Sequence, residues 1–182
     1  MKKLIFLALT ILLTSCSATS APVLLIGKVT DCATIKSSAL KNTSVANTKN
    51  TLSCLDGSAG RAISDLRGPL ILNVWGSWCQ PCTEEIPYFV EFYQSAAGKI
   101  GLIGVAVEEI NAQAAQDFVV ATGITWPNLF DKTGTTRSTF GMGVPVTWFI
   151  DQTGAVVFKK VGPIKSAQEL RELTSKYLKV SL

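Results

Sequence analysis

Hydrophobic and polar positions divide the 182-residue chain into segments of different character. A short apolar core, Leu4–Leu13, interrupted only by Thr10, follows Met1-Lys2-Lys3. "VLLIGKV" (23–29) has the length and composition of a strand. "SSALKNTSVANTKNT" (37–51) is rich in Ser, Thr and Asn and reads as a loop, having too little apolar surface to offset chain ordering. From residue 61 the rhythm changes. "PLILNVWG" (69–76) and "KIGLIGVAV" (99–107) are continuous apolar runs, the pattern of strands buried on both faces. Between them, Ile86, Phe89, Val90 and Tyr93 fall at helical spacing, and Gly98 supplies a stop. "NAQAAQDFVVATG" (111–123) predicts a second helix, with Asn111 as N-cap and Gly123 just past its end. "TTRSTFG" (135–141) predicts a short third one. "VTWFID" and "AVVFKKV" are strands joined by the hairpin signal "QTG", and "SAQELRELTSKYLKV" closes the chain as an amphipathic helix capped by Ser166.

The order β-α-β-α-β-β-α requires a parallel pair joined through a helical crossover, followed by an antiparallel hairpin. The expectation is an α/β fold: a mixed central sheet with helices on both faces. Residues 61–182 form this domain, 16–60 a tether and small, weakly structured N-terminal extension, and 1–15 a leader.

The leader changes the picture of the cysteines. A membrane-spanning helix needs roughly 20 apolar residues, so Leu4–Leu13 reads as an export signal behind a basic n-region. It ends in "LTSC", Leu13 to Cys16, which resembles the bacterial lipobox, whose cysteine is acylated and becomes the first residue of the mature protein. Two acyl chains anchor firmly where one is marginal, so the expected location is the cell membrane, lipid-anchored and facing the extracytoplasmic side. An ordinary secretory cleavage site with an incidental Cys is the plainer alternative. Disulfides persist outside the cytoplasm. With Cys16 lipidated, Cys32, Cys54, Cys79 and Cys82 remain and allow three pairings. The two-residue spacing favours Cys79 with Cys82, which leaves Cys32 with Cys54. That second crosslink would close a loop of about twenty residues and add roughly 3 kcal/mol in the chain-entropy picture. A second redox couple, or a pair of free thiols, stays open.

Composition removes several chemistries. The chain has no histidine, so Cys/His zinc sites, Ser-His-Asp triads and imidazole bases are excluded. The net charge of +4 is spread along the chain, with no footprint for nucleic acid. What remains is "NVWGSWCQPCTEEIP", Asn73 to Pro87. The strand ends near Trp75 and the helix begins near Cys82, so Cys79 occupies the turn or the first helical residues. Free N–H groups and the helix dipole there stabilise an anion, and thiols so placed have pKa values lowered from about 8.5 to roughly 3.5–7.5. Pro81 suits the first turn, where its missing donor would be orphaned anyway. Cys79 is therefore the attacking sulfur, exposed, and Cys82 the covered, resolving one. Such exchange runs on the two sulfurs and needs no cofactor. A metal is not expected, since structural zinc takes four ligands. Glu85, three residues past Cys82 on the same helical face, is placed to take the Cys82 proton; it is equally an ordinary helix-start charge. Glu84 points elsewhere. Pro145 precedes a strand. A cis bond there is a usual deliberate feature and would open the Val144 backbone for strand-like pairing with a partner peptide, but read alone it is a trans proline opening a strand.

"WGSWCQPCTEEIP" followed by "GVPVTWFIDQTG" resembles the thioredoxin superfamily, and more narrowly the TlpA/ResA-like membrane-tethered thiol–disulfide oxidoreductases, over roughly residues 61–180. The family pattern W-C-x-P-C-x-x-E-x-P is met by Trp78, Cys79, Pro81, Cys82, Glu85 and Pro87. The resemblance implies a thioredoxin-like fold, a cis Pro145 packed against the cysteine pair, Glu85 as the active-site acid, and Trp78, Val144 and Pro145 as substrate contacts. Ordinary thioredoxins carry a buried Asp in the preceding strand; Asn73 stands here and cannot take a proton, which makes the acid role depend on Glu85. Family members reduce apocytochrome c for haem attachment or serve spore or copper-centre assembly, and others oxidise or repair exported proteins. The implied partners are exported protein thiols or disulfides and a membrane electron donor. Two rivals share the fold: a peroxiredoxin-like antioxidant, for which the turn lacks the Pro-x-x-x-Thr-x-x-Cys arrangement, and a copper-binding chaperone, for which soft thiolates suit Cu(I) but methionines are few.

Overall fold

The computed structural model of the protein describes residues 25–36, 51–141 and 143–182. The leader, Cys16 and most of the polar stretch lie outside them. Seven strands form one mixed sheet: β1 (Thr51–Cys54), β2 (Arg61–Ala62), β3 (Leu70–Trp75), β4 (Gly101–Val107), β5 (Asn128–Asp131), β6 (Val146–Ile150) and β7 (Val156–Val161), in the spatial order β2-β1-β5-β4-β3-β6-β7. The helices are α1 (Gln80–Ala96), α2 (Ala112–Thr122), α3 (Arg137–Phe140) and α4 (Ala167–Leu173), the last continuing as a π-helical turn over Thr174–Leu178. Strands β3, β4 and β5 are parallel through the crossovers α1 and α2, whereas β6 runs antiparallel to β3 and pairs with β7 as a hairpin.

The period-2 geometry of β3 separates two cores. Ile71 and Trp75 face α1, α2 and α4, meeting Ile86, Phe89, Val119 and Leu170. Leu70, Leu72 and Val74 face the other way, toward Phe140 of α3 and a layer built from Cys32, Ile35, Leu52, Cys54 and Leu66. Every β3 residue is buried, as the continuous apolar run requires. Asn73 is the polar member of the α1-facing row.

Several elements differ from the sequence expectation. Residues 25–29, the described part of "VLLIGKV", form no strand. Gly27 and Lys28 N–H instead donate to the carbonyls of Val120 and Ile124, so the segment lies across the end of α2. Gly27 sits so close that a Cβ would lie 1.9 Å from the Val119 carbonyl. β1, β2 and β5 were not expected. β1, inside the supposed extension, pairs with β5 and alternates exposed and buried residues. Helix α1 starts at Gln80, two residues early, with Cys79 as its N-cap. The expected caps Asn111 and Ser166 accept from Ala114 and Glu169 N–H at 2.8 and 3.0 Å. Among the described residues no helix is long and apolar enough to cross a membrane.

Candidate active site

Because β3, β4 and β5 are parallel, their C-terminal ends share one edge of the sheet, and the loops leaving them converge there, as open α/β sheets arrange their sites. The loop after β3 carries Cys79 into the start of α1. Cys79 and Cys82 form a disulfide, Cα atoms 5.3 Å apart. The Cys82 N–H is shared between the Cys79 carbonyl at 3.1 Å and Cys79 Sγ at 3.2 Å, so a helix-terminal donor also faces the sulfur at which a thiolate would form. Cys79 is the more accessible of the two, but at 5% exposure it is itself nearly covered in the disulfide, while Cys82 is fully buried. One cover is the carbonyl of Val144, 3.8 Å from Cys79 Sγ, and the Val144–Pro145 peptide bond is cis. Trp78 stays 56% exposed, with its indole N–H on the Val107 carbonyl at 3.2 Å. With Val74, Val107, Phe140, Gly143 and Val144 it lines an apolar groove rimmed by the Glu108–Arg137 ion pair.

Behind the disulfide lies Glu85, fully buried on the same face of α1 as Cys82 and Ile86. One carboxylate oxygen accepts from Asn73 Nδ2 at 2.8 Å, the other from Ile164 N–H at 2.7 Å. Burial pushes the Glu85 carboxyl up to about 7, against the opposing pull of the Ile164 and Asn73 hydrogen bonds and the Lys160 charge. Hence the acid changes protonation near neutrality, where a group that accepts and returns a thiol proton is most effective. Asn73 thus does more than lack a proton site: its amide holds the acid that α1 supplies.

The second disulfide joins Cys32 to Cys54 on the opposite face of the sheet, with both sulfurs 3.6 Å from the Asn128 carbonyl. Neither cysteine is exposed beyond 2%, and both sit in the α3-side core, away from the cluster that holds Cys79 and Cys82.

A model of the AhpC/TSA family matches residues 46–159, more than half of the chain. The chain belongs to the AhpC/TSA family. Sporulation thiol-disulfide oxidoreductase A of Bacillus subtilis (strain 168) is 32% identical over 108 residues, 57% of this chain and 65% of that protein. Thiol-disulfide oxidoreductase ResA of Bacillus thuringiensis (strain Al Hakam) is 33% identical over 120 residues, 64% of this chain and 66% of its own. The matched segment therefore spans just under two thirds of these relatives' length. The crystal structure of StoA from Bacillus subtilis superposes with a TM-score of 0.57 at 28% identity, covering 68% of this chain and 94% of that one. The fold is thioredoxin-like.

In this AhpC/TSA chain the residues singled out from the sequence gather at one place: Trp78, Cys79 and Cys82 on the turn and helix, Val144 and Pro145 across from them, Glu85 beneath. Cys32 and Cys54 lie elsewhere, and Cys16 falls outside the described residues. Sequence reasoning missed Ile164, which contributes only a main-chain N–H and leaves no signature. It also missed Glu109, buried beside the turn two residues past the end of β4.

Proposed function

We propose that the protein is a thiol–disulfide oxidoreductase that exchanges its Cys79/Cys82 pair with the disulfides of exported proteins, acting as a reductant. The observation that carries this reading is the Cys79–Cys82 disulfide at the start of α1, with the Val144–Pro145 backbone across it and a titratable Glu85 behind it. In the reduced chain, the Cys79 thiolate attacks one sulfur of the partner's disulfide. That bond breaks, a mixed disulfide forms, and the partner's other sulfur leaves and takes a proton from water. Cys82 gives its proton to Glu85 and attacks Cys79, which releases the partner's second thiolate. The chain ends as the Cys79–Cys82 disulfide, two electrons poorer, and a membrane donor of two electrons restores the dithiol. Trp78 and the groove beside it receive the partner segment.

The same reading takes residues 1–15 as a signal peptide, Cys16 as a lipid anchor on the extracytoplasmic face of the cell membrane, 16–60 as tether and extension, and 61–182 as the redox domain. The Cys32–Cys54 disulfide serves as a staple, set in the α3-side core on the other face of the sheet from Glu85. Cytochrome c maturation is the process whose chemistry, reduction of an exported protein's cysteine pair, fits best.

The test is Cys82→Ser, which leaves the mixed disulfide unresolved. Proteins held through Cys79 and released by dithiothreitol are the expected result, and an apocytochrome among them would name the process. A variant that traps no protein, while the parent consumes peroxide or co-purifies with copper, would sink the proposal.

A further inference from the structure

The turn that presents Cys79 spans Gly76–Cys79 and is closed by the Cys79 N–H on the Gly76 carbonyl at 3.0 Å. It is fastened to the end of β4 at two points. Trp78 Nε1 donates to Val107, and two residues beyond Val107 the chain turns back through Glu109. One Glu109 oxygen accepts from the Ser77 N–H and the other from the Ser77 hydroxyl, both at 2.5 Å. Glu109 is 4% exposed, while its neighbour Glu108 points away to pair with Arg137. Of this adjacent pair of acids, one therefore serves the groove rim and the other is committed to the turn.

Short bonds to two donors satisfy a carboxylate in a place where an unpaired one would be expensive. They also hold the carboxylate against Ser77, two residues ahead of Cys79 on the same turn. A negative charge near a thiol opposes thiolate formation, while the helix N-terminus favours it. The charged groups on the elements around the pair are Glu84, exposed and bonded to Gln80; Glu85 behind Cys82; Glu108, paired with Arg137; and Lys160, paired with Glu169. Among the described residues, Glu109 is the one acid bonded to the turn itself.

We propose that Glu109 is a positioning residue for the redox pair: it clamps Ser77 two residues ahead of Cys79, and its charge there disfavours the reduced thiolate and so makes the pair a better electron donor. The inference rests on the dithiol–disulfide exchange set out above and supplies a physical reason for its direction. A dithiol whose thiolate form is stabilised is an oxidant, and one whose thiolate is opposed is a reductant.

Charge and clamp separate in two isosteric pairs, Glu/Gln and Asp/Asn at position 109. In Glu109→Gln the amide oxygen still accepts from Ser77 N–H and the amide nitrogen donates to the hydroxyl, so the clamp survives without the charge. Equilibration with glutathione buffers, followed by alkylation of free thiols, reads the equilibrium constant. Glu109→Gln is expected to move it about tenfold toward the dithiol, equivalent to about 30 mV, and to let the Cys79 thiolate absorbance appear at lower pH. Glu109→Asn should differ from Glu109→Asp in the same sense, which keeps the comparison available should either longer side chain disturb folding. A parent that exchanges normally, with no gap between the charged and neutral members or a gap of opposite sign, overturns the role of Glu109 alone. A parent that does not exchange with glutathione at all overturns both this inference and the reading beneath it.

Discussion

Replacing Glu85 with Gln takes an ionisable group out of the interior and leaves its volume in place. In the folded chain burial holds the carboxyl at about 7, against an ordinary 4.5. Below 4.5 the group is protonated whether the chain is folded or not, and it adds nothing to the pH dependence. Between 4.5 and 7 the unfolded chain has lost the proton that the folded chain keeps. The unfolded state then binds fewer protons, so stability falls as pH rises. Above 7 the group is ionised in both states and the whole penalty is in place. At about 1.4 kcal/mol per pH unit, the total is about 3 kcal/mol.

The amide should track the acid's low-pH form. A protonated carboxyl offers an acceptor oxygen and one O–H donor, and a primary amide offers an acceptor oxygen and an NH2 group with two N–H donors. The carboxylate's two partners, Asn73 Nδ2 and Ile164 N–H, are both donors. Ile164 is main chain and cannot turn, but Asn73 can, because its Oδ1 has no partner among the described residues. Rotating that amide brings Oδ1 opposite the new donor. Parent and Glu85→Gln are therefore expected to agree within about 1 kcal/mol near pH 4.5, the scale of one net hydrogen bond. Toward about pH 8 the variant should become the more stable by about 3 kcal/mol. Urea denaturation of the oxidised protein is the assay, since the four described cysteines are then tied up and do not titrate. The chain has no histidine, so no imidazole crosses this window. Carboxylates held below their ordinary range, such as Glu108 beside Arg137, contribute equally to both proteins and cancel in the difference. Parallel stability curves for parent and variant across the range would refute the buried-acid account of Glu85.

Two further outcomes follow from packing. Cys32→Ser with Cys54→Ser opens a loop of sequence separation 22; the urea midpoint should fall by an amount equivalent to about 3 kcal/mol, with exchange at Cys79/Cys82 retained at low temperature, and loss of exchange in the folded variant would mark the second disulfide as part of the chemistry. Gly104→Ala places a methyl 1.8 Å from Asn128 Oδ1 and 2.6 Å from Trp75 Nε1, two groups now bonded to each other at 3.1 Å. Forcing them apart should destabilise by about 1–3 kcal/mol and shift the indole fluorescence, and a neutral effect would mean that β4 moves to make room.

What the sequence makes legible and what it conceals follow from the range of the interactions involved. β3 and β4 are visible because burial on both faces writes itself into every residue, and α1 because Ile86, Phe89 and Val90 repeat along one face. β1, β2 and β5 span only two to four residues, and what makes them strands is the partner each finds in the sheet. Residues 25–29 have strand-like composition, but the Gly27 and Lys28 N–H groups go to the end of α2, a helix some ninety residues away in the chain, and no local pattern reports that. The candidate site divides along the same line. Cys79, Cys82 and Glu85 fall within seven residues of one helix start, and spacing alone places them on one side. The groups that set Glu85's proton affinity come from Asn73 on β3 and from Ile164 beyond β7. Asn73 illustrates the difference most sharply. As a letter it signals an acid gone from the strand. In the fold it faces α1 and donates to the acid now carried there, so acceptor and donor have exchanged places across the strand–helix interface while the proton site stays behind Cys82. A carboxylate transferred to α1 with an apolar residue at 73 would face burial with one donor fewer, and its pKa would rise further above neutrality. The amide on β3 is thus part of what keeps a buried glutamate able to give up its proton near neutrality.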